Sequence, residues 1–177
     1  MRLAGGAGYP APMAIQTEGI LNHRNERLVI ATMGNVVIQL CRGTLHLEDM
    51  PALRRAAVAN NRTWGERTKS LVLMESEAVG RIEPGVREAA EALLREVPTA
   101  AIAYVIEGSG FRVATARTIL AGLTMLTRRG MQTKTCDSLV AGTRWLCETI
   151  PTPEAGVEAA ALARFTESLR GAAAPSR

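Results

Sequence analysis

Short apolar runs and amphipathic helical patterns alternate along most of the chain. Leu28–Thr32 and Val36–Cys41 are two β-rich runs, and the residues Met33, Gly34 and Asn35 between them predict a hairpin. Later strand patterns lie at 70–74, 101–106 and 131–136. Helical spacing of apolar residues predicts helices over 47–62, from Pro84 to about 97, and over 111–129, 139–150 and 154–169.

The predicted order is β-β-α-β-α-β-α-β-α with one appended helix. Strands that alternate with helices predict an α/β fold, in which right-handed crossovers join the strands of a mostly parallel sheet. The run 101–106 is apolar throughout, which is typical of a strand buried on both faces, whereas 131–136 alternates weakly and suits an edge strand. In the first helix, Leu47, Met50 and Leu53 share the face predicted to be buried.

The ends of the chain differ in composition from its centre. Residues 1–25 are rich in Gly, Ala and Pro, which disfavour regular structure, and we expect a flexible leader there, with Met13 as an alternative start. Residues 26–150 form the predicted α/β domain. Two prolines separate this domain from a C-terminal helix and tail over 151–177.

Composition narrows the classes of function. Basic residues number 21 and acidic residues 17, and aromatics are only 3%, so the basic stripe with stacking aromatics of a nucleic-acid binder is absent from the sequence. No run of about 18 apolar residues predicts a membrane span. The three cysteines, Cys41, Cys136 and Cys147, form no CxxC pair, which predicts reduced thiols in a cytoplasmic protein, with neither a metal site nor a cofactor.

Three segments carry a resemblance to a known family. Residues 36–46 look like a second strand followed by a glycine and a polar residue, 71–74 look like a third strand, and 136–146 contains a Trp-Leu pair in its helix. In this order, 28–150 resembles the STAS (anti-sigma-factor antagonist) family. The resemblance implies a non-enzymatic regulatory or scaffolding module that acts by protein–protein interaction in bacterial signalling. The ending also resembles the CRAL-TRIO fold, which implies a carrier or sensor of a small apolar ligand or lipid as the alternative.

The chain departs from the family where STAS antagonists carry an Asp-Ser-Ser-Gly motif that a kinase phosphorylates. Placed by its glycine, that motif falls on Ile82-Glu83-Pro84-Gly85, which has no hydroxyl. Glu83 already places a fixed negative charge at this predicted helix start, where the helix dipole favours an anion. A phosphorylation switch is therefore not expected here, and Ser76 and Ser109 are the nearby serines.

The STAS resemblance, together with the absence of catalytic chemistry, implies a partner-binding surface on the loops 75–85 and 107–111, which are expected at one end of the sheet. The candidate residues on these loops are Ser76, Glu83, Pro84, Gly108, Ser109, Phe111 and Arg112.

Catalysis is not predicted at these loops. Gly108-Ser109-Gly110 suits an anion-binding turn or, in the interpretation we favour, a helix cap. A nucleophilic Ser109 needs a base, and the two histidines, His23 and His46, lie in or near the leader and at the first helix. Glu75 and Glu77 more often belong to a solvated loop than to acid–base chemistry.

The helix predicted over 111–129 is apolar on nearly every side. A surface helix normally keeps one polar face. Two explanations stay open: the C-terminal helix covers it, or it forms the contact of a homodimer.

Overall fold

The computed structural model describes residues 18–75, 78, 83–110, 113–115 and 130–171. The described strands are β1 Ile20–Arg24, β2 Leu28–Met33, β3 Val36–Cys41, β4 Lys69–Met74, β5 Ala101–Ile106 and β6 Gln132–Cys136. The described α-helices are α1 Met50–Trp64, α2 Val86–Glu96, α3 Leu139–Glu148 and α4 Ala159–Gly171. Across these residues no helix combines the length and the apolar character that crossing a membrane requires.

The strands form one sheet in which chain order and spatial order coincide, from β1 to β6. The first three strands pair antiparallel, and β3, β4, β5 and β6 pair parallel. The predicted α/β class and mostly parallel sheet are therefore confirmed, and β6 is an edge of the described sheet, as its weak alternation indicates.

The prediction of a flexible leader over 1–25 is wrong for residues 20–24. Ile20–Arg24 form β1, which pairs with β2 at the sheet edge, with a register shift between Leu21 and His23. Ile20 and Leu21 are both about half exposed, so the segment has no alternation of buried and exposed residues to mark it as a strand. Backbone pairing to β2, rather than side-chain burial, holds β1 in place.

The predicted hairpin is confirmed as a two-residue turn. Met33 pairs with Val36, and Gly34 adopts a φ of +52° between them. A left-handed residue at this point suits the tight turns that join twisted antiparallel strands. The side chain of Asn35 donates to the carbonyl of Arg67 at 2.7 Å, which fixes the hairpin against the segment before β4.

Helices pack on both faces of the sheet. Along β2, Leu28 and Ile30 face α1, whereas Val29 and Ala31 belong to the core beneath α3 and α4. This alternation is the two-residue period of a strand. The sheet is therefore packed by α1 on one face and by α3 and α4 on the other.

Helix α3 approaches the sheet unusually closely at Gly142. A Cβ atom at this position would lie 2.4 Å from Cγ2 of Val105 in β5. No residue larger than glycine fits there without movement of the helix or the strand. Gly142 therefore sets the height of α3 above β5.

The start of the last helix differs from the sequence prediction. Pro153–Ala155 form a short 3₁₀ turn and Gly156 is left-handed at φ +59°, so the last helix begins at Ala159. Of the predicted helix 111–129, the structure describes 113–115, which are helical, with Val113 buried. The two explanations for its apolar surface fall outside the described residues.

Candidate functional site

The carboxyl ends of three parallel strands lie in register. Cys41 of β3 pairs with Met74 of β4, and Met74 pairs with Ile106 of β5. The residues that follow these strand ends, Arg42, Glu75 and Glu107, therefore leave the sheet side by side. We call this end, with the segments 45–48, 83–85 and 107–110, the carboxyl-end surface.

Glu83 joins two segments of this surface. Its backbone N–H donates to the carbonyl of Leu45 at 3.2 Å, and its carboxylate accepts from the backbone N–H of Leu47 at 2.8 Å. The same carboxylate lies 3.4 Å from Nδ1 of His46. The fixed charge predicted at the start of α2 is thus directed towards the segment before α1, and Gly85, at φ +87°, makes the turn into the helix.

The loop after β5 depends on two glycines. Gly108 has a φ of +97° and Gly110 a φ of +106°, and both flank the exposed Ser109. These backbone angles are strained for other residues. The backbone N–H of Ala114 donates to Gly110 at 3.0 Å, so the chain turns into a helix directly after the loop.

The carboxylate of Glu107 contacts two helices at once. One oxygen accepts from the backbone N–H of Leu139, at the start of α3, at 2.9 Å, and the other accepts from Nη2 of Arg170, in the last turn of α4, at 2.6 Å. Ser138 also caps α3, accepting from the N–H of Ala141 at 3.3 Å. Glu107 satisfies a donor that would otherwise lack a partner at the helix start.

Arginines from the strand ends hold the same, C-terminal end of α4. Nη2 of Arg42 donates to the carbonyls of Leu169 and Arg170, each at 2.8 Å, and Arg24 donates to Leu169 at 3.4 Å. The last carbonyls of a helix lack intrahelical partners and carry partial negative charge. The guanidinium groups of Arg24 and Arg42 therefore serve as the C-terminal cap of α4.

Charges at this end are arranged with the acidic groups outward. In the pair of Arg42 with Glu75, the arginine side chain is 16% exposed and the carboxylate 36%. In the pair of Arg170 with Glu107, the values are 24% and 35%. In both of these pairs the carboxylate is more exposed than the arginine, although the whole chain carries a net charge of +4.

Leu47 is a residue of this surface that sequence reasoning placed incorrectly. The helical pattern assigned it to the buried face of the first helix, but it is 45% exposed. Leu47–Asp49 form a 3₁₀ turn, and α1 begins only at Met50, so Leu47 is turned away from the core. A Cβ at Gly85 would lie 3.2 Å from its Cδ1.

The structure places four of the predicted partner-binding residues at this end of the sheet, namely Glu83, Pro84, Gly108 and Ser109. Pro84, Gly108 and Ser109 are exposed, and Glu83 is partly exposed. Ser76, Phe111 and Arg112 lie outside the described residues.

Behind the surface, Asp49 forms a buried polar cluster. Its carboxylate accepts from Asn25 at 2.8 Å and from the backbone N–H of His46 at 3.0 Å, and it lies 3.4 Å from Arg27. Burial alone would raise the pKa of Asp49, but these hydrogen bonds and the Arg27 charge outweigh it and lower the pKa. The ionised carboxylate thus fastens the turn after β1 to the start of α1.

The cysteines in the described residues are free thiols of low reactivity. Burial raises the pKa of Cys41 to about 12, with the charges of Asp49 and Glu75 acting in the same direction. Burial also raises the pKa of Cys136 and Cys147. These thiols therefore stay protonated at neutral pH, and their reactivity is low because the thiolate is the reactive form. Among the residues described, no three His, Cys, Asp or Glu side chains gather as a metal site would require.

A cavity of about 560 Å³ lies at the other end of the sheet, where α3 leads into α4. Its wall contains Cys147, Pro151, Thr152, Pro153, Gly156, Val157, Glu158, Ala161 and Arg164. Nearby, the buried Lys69 donates through Nζ to the carbonyl of Leu146 at 2.8 Å, and its burial lowers its pKa. This cavity is separate from the carboxyl-end surface.

Comparison of the chain with protein-family models, with curated protein sequences and with solved structures finds no match.

Proposed function

We propose that the chain is a non-enzymatic, STAS-like regulatory or scaffolding module that acts by protein–protein interaction in bacterial signalling. The partner binds at the carboxyl-end surface. The observation that carries this proposal is the register of Met74 with Ile106, since it brings the two loops singled out in the sequence to one end of the sheet. Ligands of open α/β sheets bind at this end of the strands.

The charge of the surface points to the chemistry of the partner. Among the described residues of this end, the carboxylates Glu48 and Glu75 are more exposed than their arginine partners, and the exposed Leu47 lies beside Glu48. A partner segment that carries arginine or lysine next to an apolar side chain complements both features. Such a partner is steered to this end although the chain as a whole is basic.

The test uses two variants that introduce the same side chain at opposite ends of the sheet. Ser109→Arg adds a cation and bulk to the exposed loop of the carboxyl-end surface, and Ala160→Arg adds them to an exposed position on the first turn of α4. Proteins captured by the wild-type chain from a lysate of its own organism are identified, purified and titrated against all three forms.

We expect Ser109→Arg to weaken binding at least about tenfold, because truncating or obstructing a central contact costs more than 1 kcal/mol. Ala160→Arg should bind as the wild type does. A partner that binds Ser109→Arg with unchanged affinity, or the recovery of no protein that binds the purified chain, contradicts the proposal.

The cavity beside Cys147 favours a second candidate, the CRAL-TRIO-like carrier or sensor of a small apolar ligand or lipid. Its volume lies in the range of small-molecule sites. Most of the predicted apolar helix 111–129 lies outside the described residues, so this proposal rests on the cavity beside Cys147 alone.

Native mass spectrometry of the chain with and without Ala161→Trp tests the carrier. A lipid-sized mass that co-purifies with the wild type and is lost from the variant supports it. Identical bare masses for both proteins contradict it.

A further inference from the structure

We propose that Glu107 couples the carboxyl-end surface to the C-terminal helix, so that displacement of the loop 108–110 loosens the last turn of α4. The inference rests on the proposed function for its biological meaning, because a bound partner is what would displace the loop. Its physical basis is the placement of one carboxylate between three elements: β5, α3 and α4.

The position of Glu107 in the chain makes it sensitive to the loop. It follows the last residue of β5 and precedes Gly108, whose left-handed backbone begins the loop. Its two oxygens are each committed, one to Leu139 and one to Arg170. A change in the Gly108 backbone angles therefore moves the carboxylate away from both of its donors, the backbone N–H of Leu139 and Nη2 of Arg170, together.

Arg170 has an alternative partner, which makes release feasible. Nη1 of Arg170 already donates to Glu167, one turn earlier in the same helix, at 2.8 Å. When Glu107 leaves, the guanidinium keeps this carboxylate and is not stranded without a counter-charge. A cation from the partner that binds Glu107, which is 35% exposed, would compete directly with Arg170.

Two arrangements follow from these contacts. In the clamped arrangement, Glu107 holds Arg170 and caps α3. In the released arrangement, Arg24 and Arg42 still hold the last carbonyls of α4 and Leu169 stays in the core, but the contact with β5 is lost. The difference is local, so it alters the opening of one helical turn rather than the whole fold.

Hydrogen exchange of the free protein tests the coupling without any partner. Glu107→Ala should raise exchange about threefold or more both in the first turn of α3 and in the last turn of α4, as expected for loss of a partly exposed charge contact. Glu107→Gln retains an oxygen for Leu139 and should act mainly on α4. Ser138→Ala is the control, because it removes a cap of α3 and leaves α4 unchanged.

The loop itself is then perturbed by Gly108→Ala, which strains a backbone φ of +97°. We expect faster exchange in the last turn of α4 in the wild-type background, and no additional increase when Glu107→Ala is already present. Unchanged exchange in α4, or an equal increase in both backgrounds, overturns the inference.

These outcomes are separate from those of the binding test. If Ser109→Arg binds every partner with the affinity of the wild type, the proposed surface is wrong. The exchange result for Gly108→Ala still decides whether Glu107 couples the loop to α4. If the exchange result fails and Ser109→Arg weakens binding, the surface is supported and the coupling is rejected.

Discussion

Replacement of Gly142 by alanine tests the close contact between α3 and β5. The new Cβ would lie 2.4 Å from Cγ2 of Val105, and Leu71 and Cys136 also lie within 4 Å of it. Val105 is β-branched and its strand is paired on both sides, so it has little freedom to move away. Helix α3 must instead shift outward by about 1 Å to restore ordinary van der Waals contact.

Two opposing effects set the magnitude. Alanine favours a helix over glycine by about 1 kcal/mol. Overpacking of a dense core costs about 1 to 3 kcal/mol, and the short distance places this site near the upper value. We therefore expect Gly142→Ala to lower the free energy of unfolding by about 2 kcal/mol, in spite of the gain in helix propensity.

Urea unfolding monitored by tryptophan fluorescence measures the effect. With a slope of about 2 kcal/mol per molar urea, the midpoint should fall by about 1 M. Gly171→Ala is the control, because no atom lies within 4 Å of its new Cβ, and its stability should change by less than about 0.5 kcal/mol. Val105→Ala removes the clashing methyl group, so the double variant should be more stable than the sum of the single effects predicts.

A midpoint for Gly142→Ala equal to or above that of the wild type, with an unchanged slope, would refute the argument. It would mean that α3 is free to lift from β5 without loss of packing.

Three further predictions concern buried ionisable groups. The pKa of Asp49 is lowered in the fold, so the protein loses stability as pH falls below the ordinary value of 3.8. In Asp49→Asn the urea midpoint should therefore decrease less steeply with falling pH than in the wild type. Glu48→Gln, at an exposed carboxylate, is the control and should keep the wild-type dependence. The pKa of Lys69 is also lowered in the fold, so the wild type becomes more stable as pH rises towards the ordinary value of 10.5. Lys69→Met lacks this gain, so its free energy of unfolding relative to the wild type should fall between pH 7 and 10.5. A difference that stays constant over this range would contradict the shift. Cys41 should react with a thiol reagent only when the protein unfolds. Cys147 is partly exposed and should be the first of the three described cysteines to react in the native protein, and Cys147→Ser should remove this first phase.

The sequence predicted the central strands well and the first strand not at all. The runs at β3 and β5 coincide with the observed strands residue for residue, because both are continuously or nearly continuously apolar and end at polar residues. β1 has no such pattern, since an edge strand is held by backbone hydrogen bonds that are independent of side-chain type. Lys69 precedes the apolar run 70–74 that predicts β4, because a charged residue seldom enters a buried strand; here the carbonyl of Leu146, in the last turn of α3, accepts from its ammonium group.

The candidate surface was partly predictable for a topological reason. Loops that follow parallel strands must meet at one end, so strand order predicts that 75–85 and 107–111 lie together, and the STAS resemblance implied that a partner binds there. The contacts that organise this end were not predictable, because the partners of Glu107, Leu139 and Arg170, lie 32 and 63 residues later in the chain. No local pattern marks such a pair, and only the folded sheet brings its members together.

The coincidence of chain order and spatial order in the sheet has a consequence for synthesis. As the chain leaves the ribosome, each new strand finds its neighbour already made, so the sheet can grow in one direction without waiting for distant segments. The face that α4 covers is the exception. Leu162 and Leu169 reach Val29 and Leu40 only after more than a hundred further residues have been translated. During that interval part of this apolar face is exposed to solvent and prone to aggregation, so a chaperone that shields it would act mainly on newly synthesised chains.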